Sequence, residues 1–145
     1  MKKNLLLIGV IFIILVSAVV YSQLSKETAP SNHLEESQIL VTSNQVIINS
    51  EDIFWAKFTD TNSMYPVIDT RANTIEKRPK NIEEINIGDI ISFNTEYGIV
   101  IHRVVDISED KEGIYFTTKG DNNLFKDPWK TRFQDVNGIV IGILY

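Results

Sequence analysis

Gly98-Ile99-Val100-Ile101-His102-Arg103-Val104-Val105-Asp106-Ile107 is a strongly β-branched stretch, and branching at Cβ favours a pleated strand over a helical turn. In a regular strand, side chains alternate between faces, so His102 and Arg103 project to opposite sides. Working outward, further short runs of the same character lie at Ile39 to Ile48, Phe54 to Thr59, Ile90 to Asn94, Ile114 to Lys119 and Gly138 to Tyr145, most of them bounded by turn residues. Helical signal is scarce. The best candidate is Asn81 to Ile85, with Asn81 as a cap and Glu83 and Glu84 at the positive end of the dipole. The expectation is one mostly-β domain over residues 38–145, a small barrel or sheet rather than a βαβ fold.

The 145 residues carry a net charge of −5, are 43% hydrophobic and include no cysteine. This suits a single domain with a real core. Without cysteine there is no disulfide framework, no thiolate metal site and no thiol nucleophile, so any nucleophile here is oxygen or nitrogen. Lys2 and Lys3 are the only charges before Lys26, which leaves 12 basic against 19 acidic residues in the rest, a net of −7. A nucleic-acid-binding domain would have the opposite balance.

Leu5 to Tyr21, LLLIGVIFIILVSAVVY, holds 17 residues without a charge. As a helix it spans roughly 26 Å, close to a hydrocarbon core of about 30 Å. The lysines before it place the N-terminus in the cytoplasm and the folded part outside. A cleavable signal would share these features, with Val20 and Ser22 as a weak cleavage pattern, but the run exceeds a typical h-region. Residues 1–21 are therefore read as a single transmembrane anchor. No acidic residue marks the run as a pilin-type assembly helix. Residues 22–37, SQLSKETAPSNHLEES, are polar, contain Pro30 and lack a hydrophobic period, so they read as a linker with His33 a solvated member of it.

Three polar clusters interrupt the strands. Thr61-Asn62-Ser63-Met64-Tyr65-Pro66 is a Pro-bounded turn after a strand, where a serine hydroxyl can stand exposed beside inward-turned N–H groups. An ordinary turn serine is the plainer alternative. His102 is the only histidine of the folded part under the linker reading, and so the one candidate base for a serine, although a histidine in a strand is more often a satisfied sheet residue. Arg103 reads as an ion-pair partner. In Thr117-Thr118-Lys119-Gly120-Asp121-Asn122-Asn123, and in Asp127-Pro128 after it, Gly, Asp and Asn are usual loop residues. Either Asp121 or Asp127 is placed to accept the second ring N–H of His102.

Together, Ser63-Met64-Tyr65-Pro66, Gly88-Asp89-Ile90-Ile91-Ser92-Phe93, Ile101-His102-Arg103-Val104-Val105, and Lys119-Gly120-Asp121-Asn122-Asn123 with Asp127 resemble, in order and spacing, the boxes of type I signal peptidases. The resemblance is to the archaeal and endoplasmic-reticulum type, in which histidine stands where the bacterial type has lysine. It covers roughly Asp52 to Tyr145, and four ordered motifs make it specific. It implies Ser63 as nucleophile, His102 as general base, Asp127 as the triad's third member and Asp121 as a second important aspartate, supporting His102 or holding the loop. Thr61 matches a position whose hydroxyl helps the oxyanion hole together with the Ser63 N–H. Asp89 looks structural. The family usually has glycine before the nucleophile, and this chain has Asn62, the next most tolerant residue of left-handed backbone. Lys119 matches a lysine common in the His type. As a base it would need a pKa about three units lower, which His102 does not.

The resemblance implies a membrane-bound serine endopeptidase that cleaves signal peptides from exported preproteins at the outer face of the cytoplasmic membrane. It needs neither metal nor organic cofactor, and its partners are preproteins, the lipid bilayer and possible contacts with the export machinery, with no nucleic acid. The rival reading is a non-catalytic, membrane-anchored β domain that binds extended peptides, motivated by Asn62 and opposed by the retention of Ser63, His102 and Asp127.

Overall fold

A computed structural model of the chain describes residues 9, 11–17, 29–59 and 61–145. Residues 9 and 11–17 are helical and exposed. The anchor reading of residues 1–21 otherwise lies outside the described residues, among which no helix is long and apolar enough to cross a membrane.

Among the described residues there are eight strands: β1 (Ile39–Val41), β2 (Val46–Ile48), β3 (Ile53–Ala56), β4 (Asn73–Lys77), β5 (Ile90–Thr95), β6 (Gly98–Asp110), β7 (Gly113–Lys119) and β8 (Val136–Leu144). The run Ile39 to Ile48 is two strands, because Thr42 to Gln45 turn the chain back and β1 pairs antiparallel with β2 as a separate hairpin. The other six form one antiparallel sheet in the order β3-β4-β8-β5-β6-β7. The mostly-β expectation holds, as an antiparallel sheet with β3 and β7 at its ends.

Two departures have clear causes. Asn81 to Ile85 forms only a 3-10 turn, Ile82–Glu84, and the Asn81 side chain makes no cap bond, since one apolar position on each side cannot support a longer helix. β4 has no counterpart among the runs read from sequence because its alternation is inverted: Thr74 and Glu76 point inward, fully buried, while Ile75 is half-buried on the other side.

Strand alternation divides the core in two. Ile90, Ile101 and Val140 join Met64, Ile68 and Ala72 in one apolar cluster. Ile91, Val104 and Ile139, their neighbours or near neighbours in the same strands, join Ile85, Phe93 and Phe116 in the other. The sheet is thus an apolar layer on both faces, which is why β5 reads as an unbroken apolar start rather than as alternating.

Glu76 is a buried carboxyl inside this core. Thr74 Oγ1 donates to its Oε1 at 2.9 Å and Ser92 Oγ to its Oε2 at 2.5 Å, so β4 and β5, separated in the sheet by β8, share one carboxyl. Gly138 makes room for it, since a Cβ there would lie 2.7 Å from Glu76 Oε2 and from Phe54 Cζ. Burial pushes the Glu76 pKa up, and the two hydroxyl bonds only partly offset this.

A carboxyl with a raised folded-state pKa contributes stability that is complete below the ordinary glutamate value of about 4.3 and is lost as pH rises through the folded value. Glu76→Gln keeps a hydrogen-bonding side chain without the charge. Thermal unfolding is expected to show a smaller fall in Tm for this variant than for the wild type between pH 4 and pH 8. Equal falls would mean that Glu76 does not titrate in that window.

Candidate active site

The alternation of β6 sends two adjacent buried side chains to opposite faces. His102 and Arg103 are 6% and 5% exposed, and they sit opposite Ile91 and Ile90 of β5. A buried guanidinium cannot lose its proton and so needs a carboxylate. Arg103 finds it in Asp121, with Nε to Oδ1 at 2.8 Å and Nη2 to Oδ2 at 2.6 Å, and its Nη1 donates to the Gly88 carbonyl at 2.8 Å. Such a two-pronged pair fixes position as well as charge.

On the other face, His102 Nδ1 lies 2.7 Å from Asp127 Oδ2 and Nε2 lies 3.1 Å from Ser63 Oγ. The His102 and Asp127 side chains are 8% and 6% exposed. Thr118 Oγ1 donates to the same Asp127 oxygen at 2.6 Å. Asp127 reaches His102 because the loop after β7 turns back on its own strand: the Asp127 N–H bonds the Thr118 carbonyl at 2.8 Å, and Thr131 bridges to Phe116. With Asp127 accepting from Nδ1–H, Nε2 is left to accept from the serine hydroxyl, the arrangement that lets a neutral imidazole take a proton from it.

The Ser63 turn is held from two sides. Met64, 2% exposed, anchors it in the apolar core. The Asn122 N–H donates to the Ser63 carbonyl at 2.8 Å and the Asn122 side chain to the Asn62 carbonyl at 3.0 Å. Gly120 permits this approach, because a Cβ there would lie 2.7 Å from the Ser63 carbonyl oxygen. Asn62 has φ of 58°, the left-handed conformation that asparagine tolerates better than other non-glycine residues. The Tyr65-Pro66 bond is cis. Thr61 Oγ1 lies 2.9 Å from Ser63 Oγ, so its hydroxyl stands beside the serine oxygen and within a short shift of any atom bonded to it.

Of the residues singled out in the sequence, Ser63, His102, Asp127 and Thr61 come together. Asp121 is engaged by Arg103 instead, on the other face of β6. Lys119 lies in β7 in register with Arg103. Asp89 is fully buried in its turn. Thr118, Asn122 and Gly120 emerge only from the fold, although the alternation of Thr118 with apolar Phe116 in β7 does mark it as inward. Beside Ser63 and His102 lies a cavity of about 250 Å³ lined by apolar Phe58, Ile99, Ile101 and Trp129 together with polar Thr59, Thr61 and Asn123.

Asp121→Asn would leave the buried Arg103 charge without its carboxylate, a loss of about 3–5 kcal/mol that should appear as a Tm drop of roughly 10 °C or more. Asp127→Asn should cost clearly less, since an Asn Oδ1 in the place of Asp127 Oδ2 can still accept from both His102 and Thr118 and no buried guanidinium loses its partner. Paired thermal melts check this, and a larger loss for Asp127→Asn would reverse the assignment of the two carboxylates.

No family model matches the chain, and no solved structure matches it. Among curated proteins it is similar to signal peptidase I W of Bacillus subtilis, with 35% identity over 66 residues. That stretch is 45% of this chain and 35% of the relative, so it spans about a third of the relative's length. The similarity is a distant, partial homology to a signal peptidase I.

Proposed function

We propose that this chain is a membrane-bound serine endopeptidase that removes signal peptides from exported preproteins. The observation that carries this reading is one imidazole placed between the Ser63 hydroxyl and the Asp127 carboxylate. Ser63 and Asp127, from two loops 39 and 25 positions away in sequence, meet opposite ring nitrogens of His102 in a strand. The partial homology to a signal peptidase I supports the substrate class.

In the mechanism, Ser63 Oγ attacks the scissile carbonyl carbon while His102 Nε2 takes the hydroxyl proton. Asp127 orients the ring through Nδ1–H and stabilises the imidazolium. The Ser63 N–H and the Thr61 hydroxyl bind the oxyanion, Thr61 turning its donor from the serine oxygen to the new one. His102 then gives its proton to the leaving amine, which departs and leaves an acyl-enzyme. A water, deprotonated by His102, attacks the ester, and collapse returns Ser63 with its proton. Only residues of the chain and water take part.

The cleft between Phe58 and Ile99 suits an extended peptide, with the apolar cavity at Ile101 and Trp129 accepting side chains next to the cut. The apolar run Leu5 to Tyr21 supports a reading in which the enzyme is anchored in the cytoplasmic membrane with its catalytic domain outside, where preproteins emerge.

In vesicles carrying the full chain, Ser63→Ala and His102→Ala are expected each to lower preprotein cleavage by at least about a thousandfold, with no further loss when combined, as befits residues that act as a unit. Mass spectrometry of the products should place the cut after a small residue. Intact preprotein with correctly folded wild type would favour a peptide-binding, non-catalytic domain.

A further inference from the structure

The segment that the sequence presents as a solvated linker is docked over its described part. Asp89, in the turn before β5, is fully buried and gathers three donors. The Ser31 N–H reaches its Oδ1 at 2.7 Å, while His33 Nε2 at 2.9 Å and the Asn86 N–H at 2.8 Å reach its Oδ2. The His33 side chain is 8% exposed, so it is not a linker histidine in water. Burial would raise the Asp89 pKa, but the bonds from His33, Asn86 and Ser31 outweigh it and hold the carboxyl below its usual range. Between this segment and Val140 to Ile143 of β8 lies an open cavity of about 540 Å³, so the segment bridges the sheet and is pinned at Asp89 rather than packed along its length.

We propose that Ser31 and His33 form a strap that fastens the chain's N-terminal apolar segment to the catalytic domain at Asp89 and thereby limits how far Ser63 can stand from the membrane surface. The proposal rests on the peptidase reading above. Chain length shows what the strap changes. Ser31 lies ten positions after Tyr21, a reach of at most about 35 Å, whereas the six-stranded sheet begins at Ile53, 32 positions after Tyr21 and, with the β1–β2 hairpin closing Ile39 onto Ile48, up to about 80 Å away. A substrate cut near the end of its own membrane segment meets a site held close far more often than one on a long tether. Ser31 and His33 are positioning residues in this scheme and touch no reacting atom. A path to the nucleophile exists, from the Gly88 carbonyl through Arg103 and Asp121 to the Asn122 N–H on Ser63, so the test must separate height from site geometry.

The full chain in lipid vesicles, as wild type, His33→Ala and His33→Gln, is assayed on a preprotein inserted in the same vesicles and on a short water-soluble peptide spanning the same cut. His33→Ala is expected to lose about fivefold or more on the preprotein and less than about twofold on the peptide, with His33→Gln restoring most of the loss through its retained donor. No loss on either substrate, or an equal loss on both, overturns the strap. A second measurement stands apart from activity. Because the chain has no cysteine, a dye on Leu124→Cys, 84% exposed, reports energy transfer to acceptor lipids, which should fall when His33→Ala is added. Unchanged transfer overturns the proposal even if the enzyme cuts. If the wild type cuts neither substrate, the peptidase reading fails while the transfer measurement still decides the strap.

Discussion

A guanidinium taken out of water must be given a carboxylate, and that requirement at Arg103 organises the loops that carry the candidate site. Arg103 grips Asp121 with two hydrogen bonds and the Gly88 carbonyl with a third. The first two fix the loop after β7, and the third fixes the turn before β5. Once Asp121 is in place, the next residue, Asn122, delivers its N–H to the Ser63 carbonyl, and Asp127 returns along β7 to meet His102. The ion pair therefore lies one residue from the imidazole in β6, yet on the opposite face. It supports the site without entering it.

The same economy of polar groups appears in the core. Glu76 takes two hydroxyl donors in place of a cation, bonds that favour the charged form but do not offset the burial that disfavours it. Asp89 is its counterpart at the surface of the core, with three donors and a depressed pKa. Two buried carboxyls of one small domain are thus driven in opposite directions by what faces them. One lines the join of β4, β5 and β8, and the other ties the N-terminal segment to the body.

Much of the candidate site is legible in the chain. The boxes around Ser63, His102 and Asp127 stand out because turn residues and lone titratable groups interrupt β-branched runs, and the period of two already sends His102 and Arg103 apart. β4 is not legible, since its buried positions are Thr74 and Glu76 and its pattern runs against hydrophobic alternation. The docking of His33 is not legible either. Its partner lies 56 residues away, and nothing polar in residues 29–37 distinguishes a docked segment from a solvated one until a buried carboxylate is set beside it.

The sequence by itself determined most of the strand content and offered Ser63, His102 and two aspartates as candidates for acyl-transfer chemistry, because local sterics and side-chain chemistry act within a few residues, while the left-handed backbone at Asn62 was implied by the family resemblance. Which aspartate meets the imidazole was left to the tertiary structure. Asp121 and Asp127 follow the same strand and have the same chemistry, and only the sided geometry of β6 and β7 sorts them: the loop's first acid falls on the Arg103 face, and its return along Thr118 carries the second to the His102 face.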